Sequence, residues 1–296
     1  MALSPSSQQI KPMNIVITGI NGFLGSTLRI VLGSNHAIYD IGVDITDRKA
    51  VENFKIPRGK IDWIIHTAAL VDVDFCEHNL EKCYKVNVEG TKNVRDLAKK
   101  YSAKIMYISS MIVFPCEEGN YKENDIPYPK NFYAFSKVLG EQAILDYERG
   151  LVLRTNLIGV HPNGSRTINF FEWVVDLVTS GKDMKLFKDV MVNPLSNWTV
   201  AELIGRIIKL DLDEKILHLA SRNPLSKAEI GKCIIGKLGN YKGRAIFVNA
   251  DSVKNRVFRP KQMWLNSNYA QKKLKVKMPS IQAEIEKIFK NLERIS

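Results

Sequence analysis

The sequence has 296 residues, 45% of them hydrophobic and 25% charged, which fits one large α/β domain or a large domain with a smaller lobe. Its net charge is +12, but the basic residues are scattered, which favours a basic solvated surface over a nucleic-acid site. No apolar run approaches the ~20 residues that cross a bilayer, and the first twelve residues lack a secretory signal, so we expect a cytoplasmic protein without membrane or nucleic-acid partners.

Strands and helices alternate through the first half of the chain. Residues 14–18 form a β-branched run, which a glycine cluster and an apolar-periodic helix follow up to Leu32. Residues 61–69 are a continuous apolar run, typical of a strand buried in a parallel sheet. The other strand patterns are 37–41, 105–110 and 151–155, and the other helix patterns are 47–54, 80–101 and 132–147. This alternation predicts a parallel sheet wrapped by helices.

The alternation weakens after Thr155. A helix is predicted at 167–180, and a helix at 199–210 with a strand at 216–221 forms one more pair that could return to the sheet. Residues 226–296 are helical in pattern with short strands between the helices. These segments predict a smaller lobe assembled from the middle and the end of the chain.

Three glycines in a GxxGxxG pattern occupy the first strand-to-helix turn. In dinucleotide sites the first glycine allows a tight turn, the second lets the backbone approach the pyrophosphate, and the third lets helix and strand pack closely. The N-terminus of the following helix supplies N–H groups and a positive dipole to the phosphates. The residues predicted to contact the dinucleotide here are Gly19, Asn21, Gly22, Phe23, Leu24 and Gly25.

Asp40 ends the second predicted strand, about twenty residues past the glycines, where a carboxylate can accept hydrogen bonds from the adenosine ribose. It would repel a 2′-phosphate, which favours NAD(H) over NADP(H). Arg48 and Lys49 lie close in sequence and could offset that repulsion, and a plain turn aspartate before Gly42 is the competing interpretation. The choice between NADH and NADPH therefore stays open.

Tyr133 and Lys137 form a YxxxK motif on one face of a predicted helix. An ammonium beside a phenol favours the phenolate, so we expect the pKa of Tyr133 to lie below about 10. Such a tyrosine can exchange a proton with a carbinol or carbonyl oxygen. Ser110 ends a predicted strand and could hydrogen-bond the same oxygen, because strand ends carry the chemistry of α/β sheets. His161 is a candidate substrate contact in a nearby loop.

The chain resembles the extended short-chain dehydrogenases/reductases over nearly its whole length, in the segments TGINGFLG, HTAALVDVDFCE, VNVEGTKNV, YISSMIVF, YAFSKVLGE and LRTN. Within that superfamily it is most similar to the dTDP-4-dehydrorhamnose reductase family, which has a similar short second-strand region and a similar Arg-Pro segment, here Arg259-Pro260. The resemblance implies an α/β fold: a Rossmann doubly wound parallel sheet with a smaller C-terminal substrate-binding lobe.

The expected domain boundaries follow from the element pattern and the resemblance. Residues 1–12 are expected to be a disordered leader. Residues 13–166 are expected to form the Rossmann NAD(P)-binding domain, to which residues 199–221 return. Residues 167–198 and 222–296 are expected to form the substrate-binding lobe.

The resemblance also implies a role for individual residues. Ser110 would polarise the substrate oxygen, Tyr133 would donate the proton, and Lys137 would bind the nicotinamide ribose and tune the tyrosine. The implied cofactor is NAD(P)H, and no metal is expected. The implied cofactor contacts outside the glycine loop are Asp44 and Ile45 beside the adenine, Ala68 and Ala69 under the adenosine, and Asn87 on the helix that follows.

Four residues depart from the family's pattern around the substrate, while Ser110 matches its Ser/Thr position. Reductases of this group usually carry Thr-Asp-Tyr where this chain has Ser110, Met111 and Ile112, which replaces a polar wall by an apolar one. A tryptophan is usual in place of Leu157, and a small or basic residue in place of Trp264. The sequence therefore supports the reduction chemistry better than the identity of the sugar.

The expected activity is the NAD(P)H-dependent reduction of a nucleotide-diphospho-4-keto-6-deoxysugar in polysaccharide biosynthesis. The sugar nucleotide is the expected partner, and a homodimer is left open. Two alternatives stay open: a nucleotide-sugar 4-epimerase of the same superfamily, and a non-catalytic dinucleotide-binding regulatory subunit. The complete set of Ser110, Tyr133 and Lys137 argues against the subunit. A dehydratase is disfavoured because Met111 and Ile112 cannot supply its acid/base pair.

Overall fold

The computed structural model describes residues 11–57, 59–115, 117–162, 169–253 and 257–295. Residues 1–10 of the expected leader lie outside the described residues, as do Cys116 and the first two residues of the helix predicted at 167–180. No helix in the described ranges is long and apolar enough to cross a membrane.

Short strands and helices alternate along the described chain. The strands are β1 (Asn14–Thr18), β2 (Ala37–Asp40), β3 (Trp63–His66), β4 (Lys104–Ser110), β5 (Gly150–Thr155), β6 (Leu157–Ile158), β7 (Met184–Phe187), β8 (Met191–Val192), β9 (Leu195–Ser196), β10 (Ile216–Leu219), β11 (Leu225–Ser226), β12 (Ala245–Val248) and β13 (Gln262–Met263). The α-helices are α1 (Phe23–Gly33), α2 (Arg48–Glu52), α3 (Val73–His78), α4 (Leu80–Tyr84), α5 (Thr91–Tyr101), α6 (Phe132–Leu145), α7 (Phe170–Thr179), α8 (Asn197–Leu210), α9 (Lys227–Leu238), α10 (Asn268–Leu274) and α11 (Ile281–Ile295).

Six parallel strands form the central sheet in the order β2-β1-β3-β4-β5-β10. Strands β3 and β5 are buried along their whole length, as expected where helices cover both faces of a sheet. The chain runs from β1 out to β2 and then crosses back to β3, so the winding direction reverses beside β1. Ligands of such sheets bind at this reversal, beyond the carboxyl ends of the strands. The predicted doubly wound parallel sheet is confirmed.

Three buried apolar clusters hold the sheet and the outer helices together. One lies between the sheet and helices α1, α8 and α10, and a second packs α2 and α5 on the opposite face. The third joins α7, α9 and α11 to the 3-10 turn Met111–Val113 and to the start of α6. The carboxyl end of β4 therefore stands where the sheet meets the outer helices.

Two helical segments differ from the sequence-based prediction. The helix predicted at 80–101 consists of α4, a π-helical turn (Lys85–Gly90) and α5. Gly90 brings this turn against Ile45, because a Cβ atom there would lie 2.8 Å from Ile45 Cδ1. Helix α3 was not predicted, since its six residues are too few to reveal a period. Asp72 begins it by accepting a hydrogen bond from the backbone N–H of Phe75 at 3.0 Å.

Two contacts fasten the end of the chain to earlier elements. Arg259 Nη2 forms an ion pair with Asp74 Oδ2 of α3 at 2.6 Å, across 185 residues of sequence. The buried carboxylate of Glu284 in α11 accepts hydrogen bonds from the backbone N–H of Ser196 and, at 2.8 Å, from Thr199 Oγ1. Glu284 thereby holds Ser196, whose side chain caps the N-terminus of α8 by accepting from the N–H of Thr199.

Candidate active site

The glycine loop leaves β1 in a conformation that only small residues tolerate. Gly19 has φ +67°, and a Cβ atom at Gly25 would lie 2.1 Å from the carbonyl oxygen of Gly19. Gly22 begins α1, and no side chain caps that helix N-terminus. The exposed backbone N–H groups and the helix dipole suit a pyrophosphate, so the loop fits the predicted dinucleotide.

The segment after β3 turns toward this loop. Of the strand predicted at 61–69, only Trp63–His66 forms a strand, which pairs with β1. Thr67 Oγ1 then donates a hydrogen bond to the carbonyl oxygen of Thr18 at 2.6 Å, and the N–H of Ala68 donates to Thr18 Oγ1 at 3.2 Å. These bonds bring the predicted cofactor contacts Ala68 and Ala69 beside Gly19.

One cleft of about 480 Å³ runs from the glycine loop to the ends of β4 and β5. It brings the predicted catalytic residues together with most of the predicted loop contacts. The lining residues are Asn21, Gly22, Phe23, Leu24, Thr67, Ala69, Val71, Ile108, Ser109, Ser110, Tyr133, Lys137, Thr155, Asn156, Leu157, His161, Asn169 and Glu172. The predicted cofactor loop and the predicted catalytic residues therefore line the same cleft.

Asp40, Asp44 and Ile45, which were predicted near the adenosine, do not line this cleft, whereas Ala69 does. Asp40 is exposed at the carboxyl end of β2, beside Ile17 of β1. Asp44 Oδ1 accepts a hydrogen bond from the N–H of Thr46 at 2.9 Å, which lowers the pKa of its carboxyl group. Ile45 is buried against Gly90. The exposed Asp40 carboxylate can therefore accept hydrogen bonds from a ribose, whereas the Asp44 carboxylate already accepts one within a turn.

Asn87 is buried behind the cleft wall, and the structure does not bring its side chain to the cleft. Its Oδ1 accepts from the N–H of Leu70 at 2.8 Å, and its Nδ2 donates to the carbonyl oxygen of Leu70 and to Ser136 Oγ, each at 2.9 Å. Ser136 Oγ donates in turn to the carbonyl oxygen of Tyr133 at 2.7 Å. Asn87 therefore links the segment after β3 to helix α6, which contains Tyr133 and Lys137.

Tyr133 stands in the first turn of α6, which Asn131 caps by accepting from the N–H of Ala134 at 2.9 Å. Burial raises the pKa of Tyr133 above its usual value, and a hydrogen bond with the Ser110 side chain opposes that rise. The predicted lowering of the Tyr133 pKa is therefore wrong for this arrangement. The tyrosine instead retains its proton at neutral pH.

Lys137 follows Tyr133 by one helical turn but is anchored to β4. Its Nζ donates to the carbonyl oxygen of Ile108 at 2.7 Å and lies 4.1 Å from the centre of the Tyr107 ring. Burial lowers the pKa of Lys137 to about 7, and the carboxylate of Glu141 opposes this shift. Burial is the main cause of the raised pKa of Tyr133, and the Lys137 ammonium, held by the strand, is not among the groups that lower it.

The far side of the cleft contains residues that the sequence analysis did not assign to the site. Asn169 and Glu172 form a capping box at the start of α7, and Glu172 Oε1 accepts from the N–H of His161 at 2.8 Å. The His161 ring stacks on Phe23 of the glycine loop, with 6.3 Å between ring centres. The Asn-x-x-Glu spacing was the signal available for this helix start.

The four departures from the family pattern occupy different surroundings. Met111 and Ile112 are buried in the apolar cluster that also contains Tyr133, and they do not line the cleft. Trp264 covers Gly119, where a Cβ atom would lie 1.9 Å from the indole Nε1. Leu157 lines the cleft and makes part of its wall apolar.

Comparison with known proteins gives consistent matches over almost the whole chain. The family model described as the RmlD substrate binding domain matches residues 13–294. A protein of Haloferax volcanii named probable low-salt glycan biosynthesis reductase Agl14 is 27% identical over 293 residues, covering 92% of this chain and 96% of that protein. A dTDP-4-dehydrorhamnose reductase of Mycobacterium tuberculosis is 27% identical over 235 residues, covering 76% of this chain and 75% of that protein.

The fold is also similar to solved structures. The crystal structure of dTDP-4-dehydrorhamnose reductase from Bacillus anthracis in complex with NADP superposes with a TM-score of 0.87 at 26% identity. The match covers 95% of this chain and 99% of that one. The similarity therefore includes both the sheet and the outer helices.

Proposed function

Because the chain belongs to the RmlD substrate binding domain family, we propose that it is an NAD(P)H-dependent reductase of a nucleotide-diphospho-4-keto-6-deoxysugar that serves polysaccharide biosynthesis. The observation that carries this proposal is the single cleft that joins the glycine loop to Ser110, Tyr133 and Lys137. A binding loop and a proton donor in one space are what a dinucleotide-dependent reductase needs.

The glycine loop would hold the dinucleotide. The backbone of Gly22 and the uncapped N-terminus of α1 would receive the pyrophosphate, and Asp40 would accept from the adenosine ribose. Lys137 would bind the nicotinamide ribose. The nicotinamide supplies the hydride when bound.

Tyr133 would supply the proton to the keto oxygen. Burial keeps its hydroxyl protonated, and the Ser110 side chain, which lines the same cleft, opposes the rise of its pKa, so both hydroxyls can meet the same oxygen. By the resemblance, Lys137, which shares one face of α6 with Tyr133, would assist this transfer. Such proton donation typically contributes about 10²–10⁴-fold to the rate.

The cleft wall suits a deoxysugar attached to a diphosphate. Val71, Ile108 and Leu157 line the cleft together with the catalytic residues, and Val71 and Leu157 bring apolar side chains that accommodate a methyl group better than a hydroxymethyl group. The net charge of +12 favours an anionic substrate.

The test is oxidation of NADPH and of NADH by the purified protein with a panel of dTDP-, GDP- and UDP-linked 4-keto-6-deoxysugars. We expect oxidation with at least one member of the panel. Dinucleotide binding without oxidation of any sugar would refute the reductase and support the non-catalytic subunit. Interconversion of 4-epimers without net oxidation of the dinucleotide would support the epimerase.

A further inference from the structure

Glu141 is a buried carboxylate on the catalytic helix for which the proposed reaction has no role. It is 2% exposed and follows Lys137 by four residues, as Lys137 follows Tyr133. Residues at this spacing share one face of a helix. The proton donor, the ammonium and this carboxylate therefore form one row on α6.

The carboxylate of Glu141 joins three elements of the site. Its Oε1 accepts a hydrogen bond from Ser109 Oγ at 2.5 Å and another from Arg154 Nε at 2.9 Å, and its Oε2 accepts from Arg154 Nη2 at 2.7 Å. Ser109 directly precedes Ser110 on β4, and Arg154 on β5 directly precedes the cleft residue Thr155. One side chain thus holds β4 and β5 against α6.

Among the charged neighbours of Lys137, Glu141 raises the pKa of that ammonium most, and Cys83 has a smaller effect in the same direction. The titratable and charged groups around the ammonium are Tyr133 and Glu141 of α6, Tyr107 of β4, His66 of β3, Cys83 of α4 and, through Glu141, Arg154 of β5. Burial lowers the pKa of His66 to about 3, so this ring is neutral at pH 7. Burial raises the pKa of Tyr107, which is neutral as well.

Arg154 does not depend on Glu141 alone for its hydrogen bonds. Its Nη1 lies 3.5 Å from the carbonyl oxygen of Glu123 and 3.4 Å from His218 Nε2. His218 donates from Nδ1 to the carbonyl oxygen of Tyr121 at 3.0 Å, and burial lowers its pKa to about 3, so Nε2 is a neutral acceptor. A purely cross-linking role for Glu141 therefore predicts a change in stability only.

We propose that Glu141 is a positioning residue of the reductase site, which keeps Lys137 charged inside the protein and holds Ser110 at a fixed distance from Tyr133. This inference rests on the proposed function, because it acts through the role given there to Lys137.

The expected sign of the effect follows from the charges. The pKa of Lys137 is about 7, so its charge is complete at lower pH and is lost as the pH rises through that value. Removing the negative charge of Glu141 lowers this pKa further. Binding of the dinucleotide and turnover should then fail at a lower pH than in the wild type, by on the order of one pH unit.

The experiment measures the dissociation constant of the dinucleotide and kcat across the pH range in which Lys137 titrates. In Glu141→Gln both profiles should move to lower pH, whereas Glu141→Asp keeps the charge and should restore the wild-type position. Ser109→Ala removes one hydrogen bond without a charge and should lower kcat without moving the profile. Glu286→Gln, in an exposed ion pair with Lys237, is the matched control and should behave as the wild type.

If the two pH profiles of Glu141→Gln stay at the wild-type position while the melting temperature of the variant falls, the inference is wrong. Should that variant not fold, Glu141→Gln combined with Arg154→Gln leaves no unpaired buried charge and must move the profile in the same direction. A wild type that neither binds the dinucleotide nor reduces a sugar would instead refute the proposed function. If the wild type is active and the pH profiles of Glu141→Gln do not move, only the role of Glu141 is refuted.

Discussion

The replacement Tyr133→Phe separates proton donation from every other role of this side chain. The ring is 9% exposed and packs in the apolar cluster with Met111 and Ile112, and phenylalanine retains that packing. The variant loses only the hydroxyl and its interaction with the Ser110 side chain. A hydrogen bond contributes about 1 kcal/mol to stability, so the free energy of unfolding should change by no more than that.

The effect on turnover should be far larger than the effect on folding. Loss of a general acid lowers turnover by ~10²–10⁴-fold. That range corresponds to about 3 to 5 kcal/mol in the activation free energy, several times the stability change. Binding of the dinucleotide should stay close to that of the wild type, because Lys137 and the glycine loop are unchanged. The assay combines steady-state turnover, dinucleotide titration and thermal unfolding.

Tyr147→Phe is the matched control for this variant. The Tyr147 side chain is also buried, and its hydroxyl donates to the carbonyl oxygen of Ala103 at 3.0 Å, outside the cleft. It should lose a similar amount of stability and keep full turnover. If Tyr133→Phe retains turnover within a few fold of wild type, the tyrosine is not the proton donor, and the reasoning from the cleft fails.

Three further variants probe the loop and its cofactor. Asp40→Ala should weaken NADH binding more than NADPH binding in a titration, and equal losses would show that Asp40 is only a turn residue. Lys137→Met should weaken both dinucleotide affinity and turnover; loss of turnover alone would contradict its contact with the nicotinamide ribose. Gly25→Ala should abolish dinucleotide binding, because the added Cβ atom would lie 2.1 Å from the Gly19 carbonyl oxygen. Gly236→Ala is the control and should bind normally, because a Cβ atom at that position would have no heavy atom within 4 Å.

The sequence predicted those parts of the site that local patterns determine. The strand 14–18, the glycine turn and the helix face with Tyr133 and Lys137 each follow from a short run of residues, and the structure has them there. The parallel order of the sheet follows from the alternation of strands and helices. Topology then brings the end of β4 to the same edge as the glycine loop.

Properties that depend on tertiary contacts were not predictable in this way. The pKa of Tyr133 rises chiefly because the side chain is buried, while Lys137 is bonded to the carbonyl oxygen of Ile108. Met111 and Ile112 follow Ser110 in sequence, yet a 3-10 turn directs them into the core. Neither the direction of the Tyr133 pKa shift nor the burial of these two side chains is visible in the spacing of residues along the sequence.

The two contacts made by Arg259 and Glu284 also bear on the order of folding. The ion pair of Arg259 with Asp74 spans 185 residues of sequence, and the hydrogen bond of Thr199 with Glu284 spans 85. Contacts between residues far apart in sequence form slowly, because the entropy of closing a long loop must be overcome first. During refolding, strands β1 to β5 can therefore pair before either of these two contacts forms.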